Sequence, residues 1–265
     1  MPLVSKVKVE GSLKEAIEQA VKQIGGFDRF IKNGERVLLK PNFNTADPFP
    51  ASTDPVFLKA VVELVYQAGA GQVIIGESTT MALKTRSVME KLGIFNLEKE
   101  ALPAPKIIAF DEEGRWVKKE IPKGKYLKCV GLPEILDKVD KLILLPCLKT
   151  HFLGQFTGSL KISIGFVKPI ERLGFHANHL NEKIAELNTV INPDLIIMDG
   201  RKCFINRGPS EGEIAEPGLI LASENRVAID IEGIKIIQGY DGNSLSGLQP
   251  EDLGQIKTAK ELGIK

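Results

Sequence analysis

The sequence predicts an α/β protein: a mostly parallel sheet with helices on both faces. Two observations carry this. Short apolar runs alternate with helical stretches across short turns, as in RVLLK (36–40), the segment after Asp54, and QVIIGE (72–77). Runs such as DKLILLPC (140–147) and DLIIMDG (194–200) are continuously apolar, the mark of strands buried on both sides. At 265 residues, with no internal repeat, the chain reads as a single α/β domain over 1–265. A short antiparallel excursion around residues 101–133 is its one candidate subdomain.

KVKVE (6–10) alternates and reads as a strand. Ser12 then caps a helix, with Glu15 as its capping-box partner, and Gly25-Gly26 ends it. RVLLK stops at Pro41-Asn42, because proline cannot donate to a sheet ladder. Asp54 caps the next helix with Pro55 in its first turn. Along it Val56, Ala60, Leu64 and Ala68 recur at helical spacing. Gly69-Ala70-Gly71 closes that helix before QVIIGE. SVMEKLG (87–93) is a further helix ending at glycine.

KIIAF, RWVKKEI and KYLKCV within 101–133 read as the short strands of the antiparallel excursion. DKLILLPC is one buried strand. A glycine-bearing stretch follows over 149–178, then a helix from about 178 to 190. DLIIMDG and GLILAS (218–223) are strands, RVAIDIEGIKII (226–237) has helical spacing, and the tail from Pro250 to Lys265 is a final helix.

Composition removes several functions. Lys+Arg 35 against Asp+Glu 34 leaves a net charge of +1, without the basic excess that wrapping nucleic acid requires. Hydrophobic residues at 43% and charged residues at 26% exclude wholesale disorder. Cys129, Cys147 and Cys203 lie far apart with no CxxC pair, so no iron–sulfur cluster, Cys-rich zinc site or disulfide framework is expected from this chain. The opening MPLVSKVKVEGS has no apolar signal region, and LILLPCL (142–148) is too short to cross a bilayer. The expected location is cytoplasmic, with no membrane or nucleic-acid partner.

Ligands of open α/β sheets bind beyond the carboxyl ends of the strands. Four predicted strands deliver polar residues there: Lys40-Pro41-Asn42, Glu77-Ser78-Thr79-Thr80, Lys149-Thr150-His151 and Asp199-Gly200-Arg201. The expected ligand is a small anion, carboxylate or phosphate, held by Lys40 and Lys149. His151 is the candidate general acid/base, since the charge of Lys149 favours a neutral imidazole. Glu77 or Asp199 would orient a lysine or bind a metal. Lys161, among Gly154, Gly158 and Gly165, is a surface charge, an anion ligand or an amine nucleophile, and the sequence favours the first two. Gly158-Ser159 excludes a phosphate-binding P-loop. His176 and His179 are three apart and, if helical, share a face that can hold a metal ion, although two ligands alone do not specify a site. Arg207, in the loop Asn206 to Gly212, can bind a carboxylate bidentately.

The pattern LLKPN (38–42), Thr53, IIGES (74–78), LKTH (148–151), TGSLK (157–161), Gly165, His176, DLIIMDG, RGPSEG (207–212) and VAID (227–230) resembles the domain of unknown function 362 family over nearly the whole chain. Asn42 and Thr53 join the ligand-binding candidates. Many members of that family carry a Cys-rich ferredoxin-like segment; this chain has none. The stretch KTH…TG…K…G…H is also similar to the cofactor-binding stretch of nickel-pincer lactate racemases. That resemblance implies His151 as acid/base, Lys161 as anchor of a nucleotide-derived cofactor and His176 as a metal ligand. The racemases carry a further histidine after an earlier strand. Here that strand ends in Glu77-Ser78-Thr79-Thr80, so two-sided proton transfer is not expected.

The leading expectation is thus an enzyme-like protein with a small-anion site, its acid/base chemistry dependent on a metal or cofactor. The alternatives are a non-catalytic cofactor or metal carrier working with a separate iron–sulfur redox partner, and an interaction domain with a vestigial pocket.

Overall fold

In a computed structural model that describes residues 3–265, the helix starts obey the caps written in the sequence. Strand β1 (Ser5–Lys8) leads to α1 (Leu13–Gln23), where the Ser12 hydroxyl accepts from the Glu15 amide. A turn of helix, α2 (Phe27–Phe30), precedes β2 (Arg36–Lys40). Asp54 accepts from the Val56 amide at 2.9 Å and starts α3 (Pro55–Gln67). Then come β3 (Gln72–Glu77), α4 (Thr85–Lys91), α5 (Leu97–Glu100), β4 (Lys106–Ala109) and α6 (Phe110–Glu113). Strands β5 (Trp116–Glu120), β6 (Cys129–Pro133), β7 (Lys141–Leu144), β8 (Cys147–His151) and β9 (Gln155–Thr157) follow. The remainder is α7 (Arg172–Ala177), α8 (Leu180–Leu187), β10 (Leu195–Phe204), β11 (Ile214–Ala215), β12 (Leu219–Ser223), α9 (Arg226–Gln238) and α10 (Gly254–Glu261).

The main sheet runs β1-β12-β10-β7-β2-β3-β4. Its five strands from β10 to β4 are mutually parallel, and β12 and β1 extend it antiparallel. Strand β2 is central: Leu39 pairs with Ile75 on one side and Ile143 on the other. Side chains alternate across the pleat. Val37, Leu39, Val73 and Ile75 face a core shared with α1, α3 and α4. Leu38, Ile74, Leu142 and Ile196 face a second core shared with α8, α9 and α10. Two apolar faces explain why these strands read as unbroken hydrophobic runs.

Four expectations change. KIIAF is not part of the antiparallel excursion; β4 joins the parallel edge beside β3, and only β5 and β6 form the separate two-stranded sheet. DKLILLPC is not one strand. It breaks at Leu145-Pro146, where proline offers no ladder donor, and β8 begins at Cys147. DLIIMDG does not end at Gly200: β10 continues to Phe204 by pairing with β8 and β11. Within α3, Val56 is 64% exposed, and the buried face is set by Phe57, Leu58, Val61 and Val65.

Candidate functional site

A cavity of about 150 Å³ opens at the carboxyl ends of β2 and β3, beneath β8 and the 157–165 segment. Seven of the sequence candidates line it: Lys40, Asn42, Glu77, Lys149, His151, Lys161 and His176, the last at its exposed mouth. The breaks described above explain the convergence. Because β8 is a strand of its own, alternation turns Lys149 and His151 to the same side, with Thr150 opposite.

Lys40 and Glu77 form a fully buried ion pair at 2.5 Å. The Glu77 carboxylate also accepts from the amides of Phe43 at 2.9 Å and Ser78 at 2.8 Å. Lys40 donates to Pro41 O at 2.8 Å. Burial draws the Lys40 pKa down, and Glu77 opposes that shift. Gly165 closes over the pair: a Cβ there would stand 2.5 Å from Lys40 Nζ and 2.6 Å from Glu77 Oε1. Glu77 therefore orients a lysine, one of its two expected roles.

Lys149 Nζ donates to Asn42 Oδ1 at 2.7 Å and to the Ala51 carbonyl. An ammonium has three donors, so one remains for the cavity. Burial lowers its pKa. Thr53 stands behind this contact, where its hydroxyl accepts from the Asn42 amide at 2.8 Å; it positions Asn42 and is absent from the cavity lining.

His151 Nδ1 accepts from the amides of Leu153 at 3.0 Å and Gly154 at 3.1 Å. Two N–H donors on Nδ1 leave the proton of a neutral imidazole on Nε2. Burial first, then Lys161, Lys149 and His176, push the His151 pKa down to about 2. The ring is thus a neutral Nε2–H donor. In this arrangement Nδ1 is taken by backbone and Nε2 is the nitrogen that faces the cavity.

Lys161 has no hydrogen-bond or ion-pair partner among the described residues, and burial followed by Lys149 lowers its pKa to about 7. The backbone just before it is clamped by Asp230 of α9 and by Asn188 at the end of α8. The Asp230 carboxylate accepts from the amides of Ser159 at 2.6 Å and Leu160 at 3.0 Å, and Asn188 Nδ2 donates to Leu160 O at 2.9 Å. Gly154 lets the lysine stem pass close: a Cβ there would lie 3.2 Å from Lys161 Cε.

Three candidates lie elsewhere. Asp199 is inside β10, not at a strand end, and its carboxylate is held by Arg201 at 3.0 and 2.8 Å. Arg207 is exposed at φ 49°, and its loop reaches the cavity only through Pro209. His179 does not share a helix face with His176. Helix α7 ends at Ala177, Asn178 is extended, and His179 turns left-handed at φ 51° to stack on Tyr126 at 3.8 Å. No group of three or more His, Cys, Asp or Glu that could hold a metal ion occurs among the described residues.

Sequence reasoning missed Arg172 and Thr157. Arg172 spends its guanidinium on the carbonyls of Val167, Ser78, Thr79 and Gly165 and on the Ser78 hydroxyl, tying the end of β3 to the 165–167 turn. Nothing local in the sequence marks it. Thr157 Oγ1 is buried, lines the cavity and has no partner. It lies inside the TGSLK motif, which was its signal.

A larger groove, about 630 Å³, lies between the β5–β6 sheet and α7. Two of its charged groups are engaged with the fold: Glu171 accepts from the Gly131 amide at 2.7 Å, and Lys183 donates to Gly174 O and Asn178 Oδ1. The chemistry converges in the smaller cavity. That cavity measures about 150 Å³. Sites for larger organic ligands measure about 300 Å³ or more.

The chain matches the Domain of unknown function (DUF362) over residues 37–235. A thylakoid-associated protein from Synechocystis sp. is 32% identical over 260 residues, covering 95% of this chain and 78% of that protein. Among solved structures, the lactate racemase apoprotein from Thermoanaerobacterium thermosaccharolyticum shares the fold, with a TM-score of 0.57 at 12% identity. The match covers 87% of this chain but only 58% of the racemase. A protein from Thermotoga maritima overlaps 96% of this chain and 60% of its own length, at 11% identity and a TM-score of 0.49. The match over most of the sequence, together with the Synechocystis relative, shows that this chain belongs to the DUF362 family.

Proposed function

We propose that the protein binds a small oxyanion, carboxylate or phosphate, in the cavity at the carboxyl edge of the sheet and performs acid/base or amine chemistry on it. One observation carries the reading: three donors without a counter-carboxylate of their own face a single cavity. They are the third N–H of Lys149, the Nε2–H of His151 and the unpartnered amine of Lys161. The one lining carboxylate, Glu77, is committed to Lys40. A cluster of donors with no carboxylate of its own attracts an anion that completes it.

Lys149 and His151 would fix the anion, Asn42 and Thr53 would hold Lys149 in place, and Lys161 would supply the reactive group. The proposed location is the cytoplasm. No helix among the described residues is long and apolar enough to cross a membrane. Sulfate, phosphate, acetate and pyruvate should each raise the melting temperature of the wild type by mass action. Loss of that effect in Lys149→Met supports the reading; an unchanged response in the variant rejects it.

A further inference from the structure

We propose that Lys161 is an amine nucleophile that forms a Schiff base with a small 2-oxo acid. The inference rests on the anion-site reading and names its substrate class.

The geometry separates the four cationic side chains of the cavity by role. Lys40 is neutralised by Glu77. Arg172 is bonded to backbone oxygens and Ser78. Lys149 is anchored on Asn42 and Ala51 and keeps one donor free. Of the four, Lys161 alone has no partner among the described residues, yet the backbone just before it, at Ser159 and Leu160, is fixed by Asp230 and Asn188. A rigidly presented, unbonded amine beside a second cation is the environment that keeps a lysine unprotonated and nucleophilic.

The neighbouring donors match a carboxylate next to a ketone. Lys149 and the orphaned Thr157 hydroxyl suit the carboxylate. His151 Nε2–H suits the carbonyl oxygen. It donates without needing to ionise, because Nδ1 is occupied by Leu153 and Gly154. A hydroxy acid or phosphate would use the Lys161 amine only as a donor, whereas a ketone also offers it a carbon to attack.

The step is a condensation. The Lys161 nitrogen forms a bond to the carbonyl carbon, and one nitrogen-bound proton passes to the oxygen to give a carbinolamine. The carbon–oxygen bond then breaks, and the hydroxyl leaves as water with the second nitrogen-bound proton. One oxo acid and one amine become one imine and one water. No oxidant or reductant enters.

Borohydride trapping tests this. Intact protein is incubated with pyruvate or glyoxylate, reduced with borohydride, digested and mapped by mass spectrometry. The expected product is one adduct per chain on the Lys161 peptide, with a mass gain equal to the oxo acid less one oxygen atom. Lactate should give none, and sulfate should compete. Lys161→Arg and Lys161→Met should abolish it, two variants guarding against a folding defect in either. Lys149→Met should cut the yield about tenfold, the equivalent of one charge-assisted hydrogen bond. Absence of an adduct while pyruvate still raises the melting temperature overturns this inference and leaves the anion site standing. An adduct spread over surface lysines, or retained in Lys161→Met, also overturns it. Absence of both adduct and stabilisation rejects the two readings together.

Discussion

Lys40 and Glu77 meet at 2.5 Å across the ends of two adjacent parallel strands, with side chains 1% and 3% exposed. Strand β2 ends with the cation one residue beyond the Leu39–Ile75 pair, and β3 ends with the anion two residues beyond it, so the two side chains meet past the paired ends of the strands. Removing one partner strands a buried charge. Lys40→Met or Glu77→Leu should each cost about 3–5 kcal/mol, whereas the double variant should recover most of the loss. A double-mutant cycle by urea unfolding checks this; additive losses would deny the coupling.

Gly165 is the lid residue of that pair. Gly165→Ala places a methyl within 2.6 Å of both charged groups, and Arg172 bonds the Gly165 carbonyl at 3.2 Å from the other side, so the turn has little room to retreat. The expected cost is about 1–3 kcal/mol, with weakened anion binding. Gly174→Ala, in α7, meets nothing within 4 Å and serves as the control. Equal stability of the two variants would contradict the close packing.

Lys161 should make anion affinity pH-dependent. Its pKa in the fold is lowered to about 7, so it gains charge as the pH falls through that value. The charged groups that also face the cavity are Lys149, the Lys40–Glu77 pair and Arg172, and the imidazoles of His176 and the neutral His151 face it too. Sulfate affinity should fall as pH rises from about 6 to about 8, and Lys161→Met should flatten the profile. In the anion-free protein the unfolded chain binds the extra proton between about 7 and the ordinary 10.5. Stability from this group therefore rises with pH across that window, and calorimetric unfolding at several pH values reads it.

Asp230 positions Lys161 from a distance. Asp230→Ala leaves the amides of Ser159 and Leu160 without their acceptor and should cost roughly 1–3 kcal/mol for each buried donor. Asp230→Asn keeps one acceptor oxygen and should lose less. If Asp230 fixes the amine, both variants also shift the pH midpoint of sulfate binding. A stability loss with the midpoint unmoved would make Asp230 a purely structural residue.

Much of this was legible in the sequence, for physical reasons that also mark where reading stopped. Strands β2 and β3 stand where RVLLK and QVIIGE put them, because two-sided burial leaves an unmistakable apolar run. Ser12 and Asp54 were readable because a cap is a local hydrogen bond. Lys40, Glu77, Lys149 and His151 followed from strand ends. Asp199 failed because β10 continues through Gly200 on pairings that only tertiary contact supplies. His179 failed because helical spacing was assumed across Asn178, whose extended backbone breaks it. Arg172 was invisible because its partners, Ser78 and Thr79, are distant in sequence and mostly backbone. The tautomer of His151 depends on two amides in its own turn, a detail of loop conformation rather than composition.

Calorimetric titration with sulfate tests the anion site most directly, using wild type, Lys149→Met and His151→Asn. Asparagine keeps an acceptor for the Leu153 and Gly154 amides while removing the Nε2–H donor. One binding site per chain is expected, weakened about tenfold or more in each variant, with His151→Asn retaining most of its unfolding free energy. Absence of binding in the wild type, or equal affinity in all three proteins, would contradict an anion held by Lys149 and His151.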